Sequence, residues 1–375
     1  HNLLTWKNSG FKENDSTVFQ CLYLTNHIYT ELDKGNDIGM VFLDVSKAFD
    51  KVWHVGLLYK LELIGVSGTL LKWFKSYLSN RRQRVVIKGQ HSDWQPVQAG
   101  VPQGSVLGPL LFLIYVNDIV ENVQSSISLF ADDTSLYRAL CSPSDFEHLN
   151  NDLVVIQEWG AKWLVTFNAL KTKYMIFSRR KEPKYDCAIY FNNVLLERVS
   201  SHKHLGITFS HNLSWENHVQ NIISKSSPRI NIMIALQHSI PRLCLENIYK
   251  AMIRPILEYG SVVYDCLQEN LSKDLETAQR RAALACTGAY RHTKHLILLE
   301  ELGWDSLETR RKCSRLIVMY KIQNNLTQPY LRTILPCTNT NSRSYNLRNE
   351  HNIPLPPCKS EMTRKAFTYN TITLW

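Results

Sequence analysis

Three carboxylates stand where the flanking residues call for burial. "VFLDV" (41–45) ends an apolar run on Asp44 and Val45, and "SLFADDTSLY" (128–137) sets Asp132 and Asp133 side by side between apolar stretches. A bare carboxylate is costly to bury, and neighbouring ones repel. One arrangement relieves both sites. If strand and hairpin are neighbours in a sheet, Asp44 and Asp132 meet although 88 positions (132 − 44) separate them. Two such carboxylates, with substrate phosphates completing the shell, suit a pair of Mg²⁺ ions, with Mn²⁺ as a substitute. Such ions activate an attacking oxygen and neutralise a leaving one in phosphoryl displacement. Strand side chains alternate between faces, so the adjacent aspartates should not serve equally. Asp132 is expected as the direct ligand and Asp133 as its support. A solvated turn at 132–133 and a surface strand end at 44 account for the same residues without chemistry.

The elements that would position these groups follow from the apolar pattern. "IGMVFLDV" (38–45), bounded by Gly35 and Asn36, predicts a buried strand, and "SISLFADDTSLYRAL" a hairpin. "GLLYKLELIG", "GTLLKWFKSYLSN" and "GPLLFLIYVNDIVENV" predict helices, as does the long stretch from Ser144 to Val165. "RQRVVIKGQ", "DWQPVQAG", "KYMIFS", "AIYFNNVLLE" and "HLGITFS" each read as a strand. From Ser214 the pattern turns helical. The expected organisation is mixed α+β over 1–210, all-α over 211–325, and an irregular segment over 326–375.

Composition narrows the partners. Among 375 residues, 43 Lys and Arg against 33 Asp and Glu leave a formal charge of +10, which suits a polyanion such as nucleic acid. Nine cysteines with no C-x-x-C pair indicate neither a disulfide framework nor a zinc ribbon and fit a reducing compartment. The longest apolar run, "VLGPLLFLIYV" (106–116), is too short to span a bilayer and carries Pro109. The chain opens on His1 without a Met and stops at "TYNTITLW", so it reads as a fragment of a longer protein.

"VFLDVSKAFDKVWH", "GVPQGSVLGPLLFLIYVNDI" and "LFADDTSLY", in this order and spacing, resemble the central motifs of reverse transcriptases. The likeness is to non-LTR (LINE-type) retrotransposons of the jockey-like branch, where F-A-D-D stands for the Y-x-D-D of retroviral enzymes. It continues through "NALKTKYMIFSRR" and "HLGITFSHNLSW" into "AQRRAALACTGAYRHT", "LEELGWDSLETRRKCSRLIVMYKI" and "RSYNLRN", and so covers nearly the whole chain.

The resemblance implies a right-hand polymerase: a palm of antiparallel strands backed by helices, partial fingers before it and a helical thumb-like region after it. It implies an RNA-directed DNA polymerase that joins a dNTP to a primer 3′-OH by two-metal nucleotidyl transfer. Asp44 and Asp132 would bind both Mg²⁺ ions, the Val45 carbonyl would help hold one, and Asp133 would assist. Phe49 would be the aromatic sugar gate, a ring that leaves no room for a 2′-OH; as a core residue beside Trp53 it needs no such role. Gln103 and Gly104, in "AGVPQGS", would border the incoming nucleotide. Lys171 would protonate departing pyrophosphate, with Lys173 on the same face if both lie in a strand. Leu205 and Gly206 would form the primer grip. Implied partners are an RNA template, a DNA primer or target site and dNTPs, without a membrane. The implied location is intracellular, in a cytoplasmic ribonucleoprotein and the nucleus.

The family pattern is incomplete here. The endonuclease and the upstream finger motifs are missing, and "NSGFK" has Asn8 and Lys12 where Q-x-G-F-R is usual. Lysine keeps the charge but loses the planar fork of arginine. The second reading is therefore a catalytically inactive nucleic-acid-binding remnant. A two-metal nuclease would need more acidic ligands than Asp44 and Asp132, and would leave "GVPQGS" unexplained.

Overall fold

The computed structural model describes residues 3–265, 267–336 and 353–375. The chain divides into two compact units, residues 1–20 with 36–200 and residues 21–35 with 201–375, the first division falling inside helix Thr17–Asp33. Residues 201–210 fall in the second unit. "RSYNLRN" lies outside the described residues.

The first unit is an α+β structure built on a five-stranded sheet in the order Glu197–Arg198, Lys173–Phe177, Asp37–Leu43, Asp133–Leu140, Ser126–Phe130. All neighbours are antiparallel except the short first pair, which is parallel. Every residue of Asp37–Leu43 is buried, as suits a middle strand. On one face Val41, Leu43, Ile127, Leu129 and Leu136 pack with Phe146, Leu149, Leu153 and Ile156 of helix Ser144–Lys162. Those helical residues recur at three- and four-residue steps, so a single stripe meets the sheet.

A second core lies where helices His54–Leu63 and Leu107–Val116 pack, around Leu57, Leu61, Leu111, Phe112 and Tyr115. Lys60 is inside it. Its Nζ donates to Asp118 Oδ1 and Tyr115 O at 2.5 Å and lies 3.8 Å from the Trp163 ring centre. Burial pulls its pKa down to about 8, against the opposing pull of Asp118.

In the second unit, strands Ser201–His204 and Ile207–Ser210 pair with each other as a two-stranded sheet. Helices Glu216–Leu236, Glu269–Thr287 and Leu307–Gln323 are long elements of the same unit. The terminal segment expected to be irregular holds short helices at Pro329–Arg332, Glu361–Arg364 and Phe367–Ile372. Two single-strand expectations become hairpins: "AIYFNNVLLE" turns at Asn192 and Asn193, both left-handed, and "HLGITFS" turns at Leu205 and Gly206. Asparagine tolerates that backbone region, which is why an apolar run can reverse there. Among the described residues no helix is long and apolar enough to cross a membrane.

Candidate active site

Asp44 follows the last residue of the middle strand. Leu43 pairs with Thr134, and Phe130 with Asp133 across the hairpin. Asp44 thus follows directly on Leu43 and Asp133 directly precedes Thr134, and Ala131 and Asp132 form the two-residue tip. Asp44 and Asp133 lie at the same end of adjacent strands, with Asp132 at the turn beside them. The Asp133 carboxyl is pushed above the ordinary carboxylate range by loss of surrounding water and by the negative charges of Asp132 and Asp44. Asp133 still meets solvent at the surface, so mutual repulsion is the sturdier cause.

Among the described residues none of the three carboxylates has a hydrogen-bond or salt-bridge partner. Val45 forms a bridge with Phe167 through its neighbours' backbone groups, leaving its own carbonyl without a donor among those residues. Uncompensated carboxylates and a free carbonyl are the donors that Mg²⁺ or Mn²⁺ takes, so the chemistry of the set fits a hard cation. No group of three or more His, Cys, Asp or Glu side chains among the described residues is arranged to hold a metal alone. Backbone and substrate oxygens must complete any shell.

The tip is held from behind by the segment that carries "NSGFK". Ala131 takes a left-handed backbone (φ 56°), a conformation usually left to glycine. Asn8 Oδ1 accepts from Ala131 N at 3.3 Å and from Gly10 N at 3.0 Å. Segment 7–9 runs along strand Ser126–Phe130, with Ser9 N donating to Leu129 O and Leu129 N to Lys7 O. Asn8 thus has a local task, and Lys12 Nζ is engaged by Thr5 O at 2.6 Å. The Lys12 pKa is lowered by burial, against the charge of Asp15. "NSGFK" marks the segment, but nothing nearby in sequence points to a partner 123 positions away.

Phe49 sits in the turn Ala48–Lys51, half-buried, stacked on Phe112 at 4.3 Å with Phe11 edge-on at 6.1 Å. The loop of Gly100, Gln103 and Gly104 docks on the same turn. Gly100 N donates to Val52 O, Val101 N to Phe49 O, and His54 Nε2 to Gly100 O at 2.8 Å. Gln103 Nε2 donates to Asp50 Oδ1 at 2.8 Å. Gly100 has φ 91°, and a Cβ there would lie 2.7 Å from Asp50 O, so only glycine lets the loop approach this closely. Asp50 and His54 were visible inside "AFDKVWH" but had no assigned partner.

Lys171 is exposed in the turn before strand Lys173–Phe177, so the expected sharing of a strand face with Lys173 does not arise. Lys173 Nζ is paired with Glu197 at 2.5 Å. Leu205 and Gly206 form a turn in the second unit, where Tyr259 Oη donates to Leu205 O at 2.8 Å.

The reverse transcriptase (RNA-dependent DNA polymerase) family model matches residues 2–209. The RNA-directed DNA polymerase from mobile element jockey of Drosophila funebris is 31% identical over 293 residues, 75% of this chain and 32% of that protein. The probable RNA-directed DNA polymerase from transposon X-element of Drosophila melanogaster is 29% identical over 303 residues, 78% of this chain and 33% of that protein. A probable polymerase from transposon BS of the same species is 28% identical over 311 residues, covering 80% and 34%. The chain therefore spans about a third of the length of these relatives. With more than half of its residues matched by the family model, and its three carboxylates at one end of two adjacent inner strands, the chain belongs to the reverse transcriptase family.

Proposed function

We propose that this chain carries the polymerase centre of an RNA-directed DNA polymerase from a mobile element, extending a DNA primer on an RNA template. What supports the reading is the trio Asp44, Asp132 and Asp133 at neighbouring strand ends, with no cation among the described residues paired to them. Asp44, Asp132 and the Val45 carbonyl would hold two divalent cations, which when bound favour the primer alkoxide and neutralise charge on the leaving group. The primer 3′-oxygen attacks the α-phosphorus of the dNTP, the bond to pyrophosphate breaks, and the 3′-OH proton passes to solvent. Lys171, exposed and unpaired among the described residues, gives its proton to the departing pyrophosphate. Phe49, fixed by Phe112, lies under the sugar and excludes a 2′-OH. Gln103, oriented by Asp50, borders the base pair being formed. Leu205 and Gly206 touch the primer backbone, and the element's polymerase works in a cytoplasmic ribonucleoprotein and then in the nucleus.

The test is primer extension on poly-rA/oligo-dT with Mg²⁺, beside an Asp132→Ala control. Extension lost in the mutant supports the polymerase. Silence of both chains calls for the same assay on a chain lengthened upstream. Silence there as well refutes the catalytic reading and leaves the nucleic-acid-binding remnant.

A further inference from the structure

The second unit buries two arginines against one carboxylate. Arg311 and Arg315, one turn apart on helix Leu307–Gln323, are 2% and 3% exposed. Arg311 Nε donates to Asp265 Oδ1 and its Nη2 to Ser272 Oγ, both at 2.8 Å. Arg315 Nε lies 2.6 Å from Asp265 Oδ2, near enough for charge attraction but off the hydrogen-bond line. The Asp265 side chain is itself 6% exposed. Two cations sharing one anion leave a buried positive charge over. A guanidinium does not shed its proton to escape this, and a buried ion without a full partner is strongly destabilising. The Nη1 groups of both arginines have no hydrogen-bond partner among the described residues.

These arginines line a cleft of about 520 Å³, together with Lys312, Arg364 and Lys365. Its acidic neighbours are mostly engaged: Glu308 by Lys312 at 2.7 Å and Glu269 by Lys273 at 2.6 Å. Glu361, on the rim, has no ion-pair partner among the described residues. A single carboxylate has two oxygens and already exists here as Asp265. Two guanidinium forks on one helix face ask for an anion with more acceptors, and phosphate matches the planar fork best.

We propose that this cleft is a phosphate-oxyanion site, in which the Arg311 and Arg315 Nη1 groups donate to the phosphate oxygens and the surplus buried charge is neutralised. Both groups are screened from bulk water, so a rim side chain moves aside when the anion enters. The site is independent of whether the chain polymerises.

The test is thermal denaturation of the full 375-residue chain in sodium phosphate against sodium chloride of equal ionic strength, repeated with a short single-stranded DNA oligonucleotide. At about tenfold excess over Kd, phosphate is expected to raise Tm by about 3–6 °C. Arg315→Met leaves a balanced Arg311–Asp265 pair, so its Tm in chloride should hold or rise while the phosphate response disappears. Glu361→Gln removes the like charge at the rim and should shift the phosphate midpoint at least about twofold lower. An oligonucleotide response with the same variant pattern assigns the phosphate to a polynucleotide backbone. A response to phosphate alone assigns it to a free anion or mononucleotide. The proposal is overturned if wild type gains nothing over chloride, or if Arg315→Met responds as wild type does to either probe.

Discussion

Gly10→Ala tests whether the amino-terminal segment positions the hairpin tip. A Cβ at residue 10 would lie 2.5 Å from Ala131 N and 3.2 Å from its Cα and Cβ. None of these atoms can swing away as the end of a long side chain would. An ordinary contact of 3.4 Å requires residue 131 to retreat about 0.9 Å (3.4 − 2.5), and Asp132 is the next residue. Retreat also pulls Ala131 N away from Asn8 Oδ1, which it already meets at 3.3 Å. Overpacking of this kind costs about 1–3 kcal/mol, read as about 2–4 °C of Tm per kcal/mol in a unit of this size. A displacement near 1 Å at a reacting centre costs on the order of 10²-fold in kcat. Gly65→Ala is the control: it strains a left-handed backbone (φ 95°) but its Cβ meets nothing within 4 Å. Circular dichroism melts and single-turnover primer extension should show both variants less stable and Gly10→Ala alone slowed. The Mg²⁺-dependent rise in Tm should weaken in Gly10→Ala alone, a readout that does not need turnover. Gly10→Ala within about threefold of wild type in rate, with an unchanged Mg²⁺ response, would refute the contact as a positioning device.

Asp133→Asn should raise Tm without divalent ions, because it removes repulsion from Asp132 and Asp44, and should reduce the Mg²⁺-induced rise; an unchanged or lowered metal-free Tm would sink the repulsion argument. Lys60 carries a pH signature. The unfolded lysine keeps its proton to about 10.5 while the folded one releases it near 8, so stability should rise with pH between those values. Set against Lys60→Met, the gain should reach at most about 3 kcal/mol, less what three aromatic faces near the cation give back, and parallel Tm–pH curves for the two proteins would contradict it. Phe49→Val should admit ribonucleotides at least about tenfold better relative to dNTPs; unchanged sugar discrimination in an active enzyme would return Phe49 to a packing role beside Phe112.

Much of the first unit was legible because its signals are local. The run before Asp44 has the length and β-branched content of a buried strand, and "SISLFADDTSLYRAL" alternates about a polar centre, so both elements were expected where they occur. The helix at Ser144–Lys162 announces itself by one apolar stripe. Breaks inside apolar runs were less legible. At Asn192–Asn193 and Leu205–Gly206 the residue pattern on either side continues, and only the left-handed turn reverses the chain.

Sequence alone determined which groups are present: three carboxylates, a glycine-bearing loop, an aromatic beside them and a surplus of positive charge. Tertiary structure decided their relations. The pairing of two adjacent strands, not sequence adjacency, put Asp44 at the same sheet end as Asp133 and left Asp132 at the tip. Asn8 and Gly10 became the backing of that tip, and Arg311 and Arg315 came to share Asp265, through contacts between distant positions. A propensity acts over a few neighbouring residues, whereas a hydrogen bond or steric limit between distant residues exists only after the chain has folded them together.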